Sequence, residues 1–164
     1  MTWRFEEAPG SARPPGVLDA IRTADVVVLA SSSPVTSLLA ILAVARRTMR
    51  SDPVAGPTVA LAPMVLGLGT STARDQRRAS ARAGLMSARG FSHDPAGFGR
   101  WLDGLATHVL LDPSDAAWSD EVSATGATVS LAPVIGADEA DRQALVQHLS
   151  EIARIGSLGA RPGA

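Results

Sequence analysis

Two short segments concentrate the residue types that hold phosphate groups. The first is Ala30-Ser31-Ser32-Ser33-Pro34-Val35-Thr36-Ser37, where Ser32, Ser33, Thr36 and Ser37 supply hydroxyls around a helix start. Serine caps free amides there, and Pro34 at the first helical position sacrifices no hydrogen bond. Unpaired amides and the helix dipole together favour an anion. The second segment is Ala62-Pro63-Met64-Val65-Leu66-Gly67-Leu68-Gly69-Thr70-Ser71-Thr72. Gly67, Gly69 and Thr72 imitate the spacing of a dinucleotide fingerprint, with threonine where a small residue would pack helix against strand. The candidate binding set is therefore Ser32, Ser33, Pro34, Thr36, Ser37, Pro63, Gly67, Gly69, Thr70 and Ser71, and no residue is assigned a catalytic role. Each segment also has a plainer reading. The first would serve as a capped helix start with a solvated serine loop, the second as a flexible turn.

Other reactive residue types are less organised. His93, His108 and His148 fall in a loop, a strand and a helix, with no pair at metal-ligand spacing, so no metal site is assigned. Asp112, Asp115 and Asp120 follow a strand end, where they could meet a cation or simply cap and lead a helix. Arg74, Arg77, Arg78 and Arg82 recur near helical spacing just after the glycine loop, either as a solvated face or as phosphate contacts. Gly-x-Ser-x-Gly is missing, so no serine nucleophile elbow is indicated.

The elements that must position these loops read as βαβ units, short valine-rich runs alternating with longer helical patterns. Strands are predicted at Trp3–Phe5, Val26–Ala30, Thr58–Ala62, Thr107–Leu111 and Thr128–Leu131. The second is apolar throughout, as expected of a parallel strand buried on both faces, and the third reads as the next buried strand. Helices are predicted at Val17–Arg22, Pro34–Arg50, Thr72–Ala88, Pro95–Trp101, from Pro113 or Ser114 to Val122, and from Asp138 or Glu139 to Ile155. Both loops then fall beyond the carboxyl ends of strands, where open α/β sheets bind ligands. The expected fold class is α/β, a three-layer Rossmann-like domain with a mainly parallel sheet. One domain is predicted over 1–155, with a flexible tail at 156–164.

Composition narrows the function. Fifteen basic against sixteen acidic residues give a formal net charge of -1. That leaves no long-range field to gather nucleic acid or an anionic membrane, so neither is an expected partner. Cysteine is absent, which excludes disulfides, thiolate metal sites and a cysteine nucleophile. Lysine is absent too, so there is neither a Schiff base nor a P-loop lysine. Asparagine and tyrosine are also missing, a bias that points to a GC-rich gene. Met1–Gly10 lacks the pattern of a secretory signal, and the longest apolar run, Val35–Ala45, is too short to span a bilayer. A cytoplasmic location is expected.

The order of motifs resembles one known family. Val17-Leu18-Asp19-Ala20-Ile21, Ala24-Asp25-Val26-Val27-Val28 and Ser32-Ser33-Pro34-Val35-Thr36-Ser37 are similar to a signature of the 2-phospho-L-lactate transferase (phosphoenolpyruvate transferase) family. Val59–Gly67 resembles its next strand and loop. Gly97–Trp101, Val109–Ala116 and Gly126 with Val129–Pro133 resemble its later segments. The resemblance runs from Trp3 to Ile155 and matches the family's C-terminal half.

It implies a phosphorus-linked three-carbon acid moved from a guanylylated donor to the ribityl hydroxyl of the deazaflavin precursor Fo, with release of GMP. The serine and glycine loops would face Fo and the phosphate groups. Fo and a guanine nucleotide are the implied small-molecule partners. Magnesium is implied as cofactor, with its ligands in the family's N-terminal half and not in this chain. A complementing polypeptide or a homo-oligomer would then complete the site. The alternative is a diverged, non-catalytic relative that binds a nucleotide, deazaflavin or protein partner. Departures from the family pattern fall in the loops: Ser33 for asparagine, Ser31 for proline, Ala62 for serine, Leu66 for glycine, and Ser71 and Thr72 for a basic residue and a glycine.

Overall fold

The computed structural model describes residues 16–42, 54, 56–69 and 72–159. The predicted strand at Trp3–Phe5, residues 43–50 of the predicted second helix, and Thr70 and Ser71 of the glycine loop lie outside the described residues.

Four strands form one sheet: β1 (Val27–Leu29), β2 (Thr58–Leu61), β3 (His108–Leu111) and β4 (Thr128–Leu131). They lie side by side in chain order, and every pairing is parallel. Parallel neighbours need a crossover, and helices supply it. After α1 (Val17–Thr23) and β1 comes α2, which opens at Pro34–Leu38 and continues through 39–42. Then follow α3 (Ala73–Ser87), α4 (Pro95–Leu102), a 3-10 turn at Pro113–Trp118, α5 (Ser119–Ser123) and α6 (Glu139–Gly159).

Alternation along the strands sends side chains to two faces. Leu29, Ala60, Ala62, Val109 and Leu111 share one core with Val35 and Leu38 of α2, Met86 of α3, Phe98, Trp101 and Leu102 of α4, and Val122 of α5. Val59, Leu61 and Leu110 form the opposite core with Ile152 of α6, Ala132 and Val134. Helix, sheet, helix is the three-layer α/β arrangement. No helix among the described residues is long and apolar enough to cross a membrane.

Three details differ from the sequence reading. β2 is buried at every position, but Val28 in β1 is 39% exposed. β1 stands first in the sheet order, so no described strand covers its outer side. The predicted helix from Pro113 to Val122 is broken: Asp115, at φ -105° and ψ 17°, kinks the 3-10 turn, and α5 begins only at Ser119. The closing helix runs past Ile155 to Gly159, because Gly156 lets the backbone lie against Pro57, where a Cβ would come within 2.6 Å of Pro57 Cδ. Residues 156–159 are thus helical, and 160–164 lie outside the described residues.

At the amino end of β3 the sheet meets α6 through histidines. Thr107 Oγ1 lies 3.0 Å from His108 Nδ1, and Nε2 of His148 on α6 is buried with no hydrogen-bond partner among the described residues. Burial, and secondarily the charge of His148, hold the His108 imidazole below its ordinary 6.5. The unfolded chain therefore takes up this proton first as pH falls, so the contribution is intact above about 6.5 and is lost below it. Denaturant midpoints should fall between about pH 7.5 and 5.5, and His108→Gln should flatten that slope. An unchanged slope in the variant would count against this origin.

Candidate functional site

The two loops singled out by residue type emerge side by side, at the carboxyl ends of adjacent strands β1 and β2. In the serine loop, Ser33 does what a cap should do. Its hydroxyl accepts from Thr36 N at 3.4 Å, and its carbonyl accepts from Ser37 N and Leu38 N, both at 3.0 Å. The Leu39 N–H donates to Pro34 O, five residues back, so the first turn is wider than an α-turn. Pro34 is buried, Ser32, Ser33 and Ser37 are half-buried, and Thr36 is exposed. Ser31 ties this loop to the next: its hydroxyl donates to Ala62 O at 3.4 Å.

The glycine loop folds by its own turn chemistry. Gly69 N–H donates to Leu66 O at 3.1 Å, closing a turn, and Gly69 sits at φ +65° where side chains are disfavoured. Gly67 is glycine for a different reason. A Cβ there would lie 2.2 Å from Ser114 O. Both glycines thus answer to the protein's own backbone. Pro63 is half-buried beneath the loop, while Leu66 and Leu68 are 42% and 62% exposed at its tip.

The third participant is the end of β3. Asp112 caps the 3-10 turn, its Oδ1 accepting from Ser114 N at 3.0 Å and from Ser114 Oγ at 2.7 Å. Asp115 points back into the sheet edge. Its Oδ2 accepts from Leu66 N at 2.9 Å and its Oδ1 from Gly67 N at 2.7 Å, and the residue is only 3% exposed. A buried carboxylate requires such partners, because desolvation without them is costly. The sequence offered Asp115 as a cap or cation ligand. Its actual partners lie 48 and 49 residues earlier, a separation that periodicity does not report. Asp120 is exposed in the first turn of α5.

The remaining candidates stand apart. Arg74, Arg77, Arg78 and Arg82 are all exposed on α3. Thr72, third member of the imitated fingerprint, caps α3 by accepting from Asp75 N at 3.1 Å. His93, in the loop before α4, has its pKa lowered by burial and then by Arg82, against an opposing effect of Asp94.

Residues 2–114, which include both loops and the first half of the Asp112–Asp115 turn, match the family described as 2-phospho-L-lactate transferase CofD. The chain belongs to the 2-phospho-L-lactate transferase family. A phosphoenolpyruvate transferase of Streptomyces griseus subsp. griseus is 32% identical over 140 residues, which make up 85% of this chain and 42% of that protein. The chain therefore spans less than half the length of that relative.

The magnesium implied for the 2-phospho-L-lactate transferase family finds no matching ligand set among the described residues. No three acidic or histidine side chains converge there. Asp115 directs both carboxylate oxygens at backbone amides, and Asp112 Oδ1 is engaged by Ser114. The residues present do not fit the ion.

Proposed function

We propose that this chain forms the loop-bearing part of a 2-phospho-L-lactate or phosphoenolpyruvate transferase site. There a phospho-three-carbon acid passes from a guanylylated donor to the ribityl hydroxyl of Fo, and GMP leaves. The observation that carries the reading is the pairing of the serine and glycine loops on adjacent parallel strand ends, tied by Ser31 and Ala62, within the matched region. Phosphorus transfer of this kind needs placement and charge neutralisation more than a protein nucleophile. A helix start with clustered hydroxyls supplies the first of these and part of the second. Parts of the family fold that this chain does not span would supply the rest, from a complementing polypeptide or a second copy.

A second reading is a relative that binds a nucleotide, deazaflavin or protein partner without turnover. It is favoured by Leu66, which stands where the family carries glycine and is 42% exposed at the loop tip.

The test is titration of the purified chain with Fo and with GMP or GDP, by fluorescence and calorimetry, with and without magnesium. Saturable binding is expected, weakened about tenfold by Ser33→Ala, since one lost hydrogen bond near a ligand is worth about 1 kcal/mol or slightly more. A folded protein that binds none of these overturns the transferase reading and the small-molecule form of the second. Binding without turnover, even when the rest of the family fold is supplied, selects the second.

A further inference from the structure

The glycine loop and the serine loop differ in what holds their amides. In the glycine loop, Leu66 N–H and Gly67 N–H donate to Asp115, and Gly69 N–H donates to Leu66 O. These three amides of the described loop are taken by an internal carboxylate and an internal carbonyl. Asp115 sits where an anion cradled by this loop would sit, and it brings negative charge with it. What the loop offers outward is apolar: Leu66 and Leu68, 42% and 62% exposed. In the serine loop the Thr36, Ser37 and Leu38 amides are held by Ser33 instead, and the hydroxyls of Ser32, Thr36 and Ser37 stand at a helix start with no carboxylate bonded into it among the described residues.

We propose that Asp115 is a positioning residue: it latches the glycine loop to the end of β3 as a preformed apolar platform and diverts the ligand's phosphate to the serine loop. The latch is two-sided. Asp115 holds the loop by its amides, while Ser114 O stops it at the Gly67 Cα, where a Cβ would be 2.2 Å away. Asp112 fixes Ser114 in turn, through its amide at 3.0 Å and its hydroxyl at 2.7 Å. Because the loop is held before any ligand arrives, the ordering cost of closing it on a ligand is already met. The neutral, flat part of a ligand belongs on Leu66 and Leu68, and its phosphate beside Ser32, Ser33 and Thr36. This division of roles rests on the proposed function, whereas the latch itself does not.

The experiment uses the whole chain and two readouts. Amide hydrogen exchange in the wild type should be at least about tenfold slower at Leu66 and Gly67 than at Leu68, whose N–H has no partner among the described residues. Equal rates at all three overturn the latch, with no variant needed. In Asp115→Asn, exchange at Leu66 and Gly67 should rise at least about tenfold while Val59 and Leu110 in the strands stay unchanged. A uniform rise across the chain means general destabilisation and overturns the local role.

Fo then serves as the flat, neutral probe and GMP as the phosphate probe. Asp115→Asn should weaken Fo at least about tenfold and leave GMP within about threefold. Equal loss of both, or no loss of Fo once the loop is freed, overturns the division of roles. A wild-type chain that binds neither probe overturns the proposed function and this division together, while the exchange pattern still decides the latch.

Discussion

Phe98→Ala should lower the unfolding free energy by about 3–5 kcal/mol, the usual cost of deleting a fully buried aromatic ring. Phe98 has no exposed surface, and it stacks on Trp101 with ring centroids 6.0 Å apart at 12°. It joins α4 to the core that also contains Met86, Val109, Leu111 and Val122, so the cavity would open between the sheet and its helices. In a chain of this size the loss corresponds to a midpoint drop on the order of 10 °C. Thermal unfolding measures it, and the near-ultraviolet circular dichroism of Trp101 should weaken in parallel. A drop of under about 1 kcal/mol would mean that α4 is not part of the main core.

Gly67→Ala should be the most damaging single methyl added to the site. Its Cβ would meet Ser114 O at 2.2 Å and Ser114 C and Cβ at 2.7 Å, and two of these three atoms are backbone and cannot rotate away. The loop must therefore lift, which costs about 1–3 kcal/mol as overpacking. Lifting also withdraws two amides from a carboxylate that is 3% exposed, at about 1–3 kcal/mol more. Gly69→Ala is the matched control. It has φ +65° but open space around the new methyl, so only the backbone penalty of about 1–2 kcal/mol applies. Chemical denaturation of the two variants, with Fo titrations alongside, should rank Gly67→Ala as the worse in both. The reverse ranking would show that the left-handed backbone at Gly69 costs more than the contact with Ser114 at Gly67.

Much of the scaffold was legible because local chemistry and tertiary position agree. Thr58–Leu61 is mostly apolar and is buried throughout. Ser33, Thr72 and Asp94 were readable as helix starts, and each caps with its own side chain. Val28 was misjudged because its run looks like that of β2; only sheet order, a property of four strands at once, puts it at an edge. The placement of the two loops was legible in outline, since both follow strands that pair side by side in the sheet. Asp115 was not. Its carboxylate crosses from the end of β3 to Leu66 and Gly67, and the same contact accounts for the break in the helix predicted across it. Gly97 was likewise readable only as part of a motif; in the fold a Cβ there would sit 2.0 Å from Ser92 O.

The consecutive order of the strands has a consequence for how the chain assembles. β4 meets β3 across 20 residues (His108 to Thr128, 128 − 108), whereas β3 meets β2 across 49 (Val59 to His108, 108 − 59). Ring-closure entropy grows as the logarithm of that separation, so the first closure is easier by about 0.8 kcal/mol. The β3–β4 crossover also carries α5, whose Val122 is fully buried against the same sheet. Entropy thus favours nucleation at the carboxyl-terminal strand pair; β1 meets β2 across 31 residues (Val27 to Thr58, 58 − 27), and joining the two pairs at β2–β3 is the hardest closure. Synthesis runs the other way, delivering β1 first. In the cell, the early pair must wait for β3 before it can join the rest of the sheet.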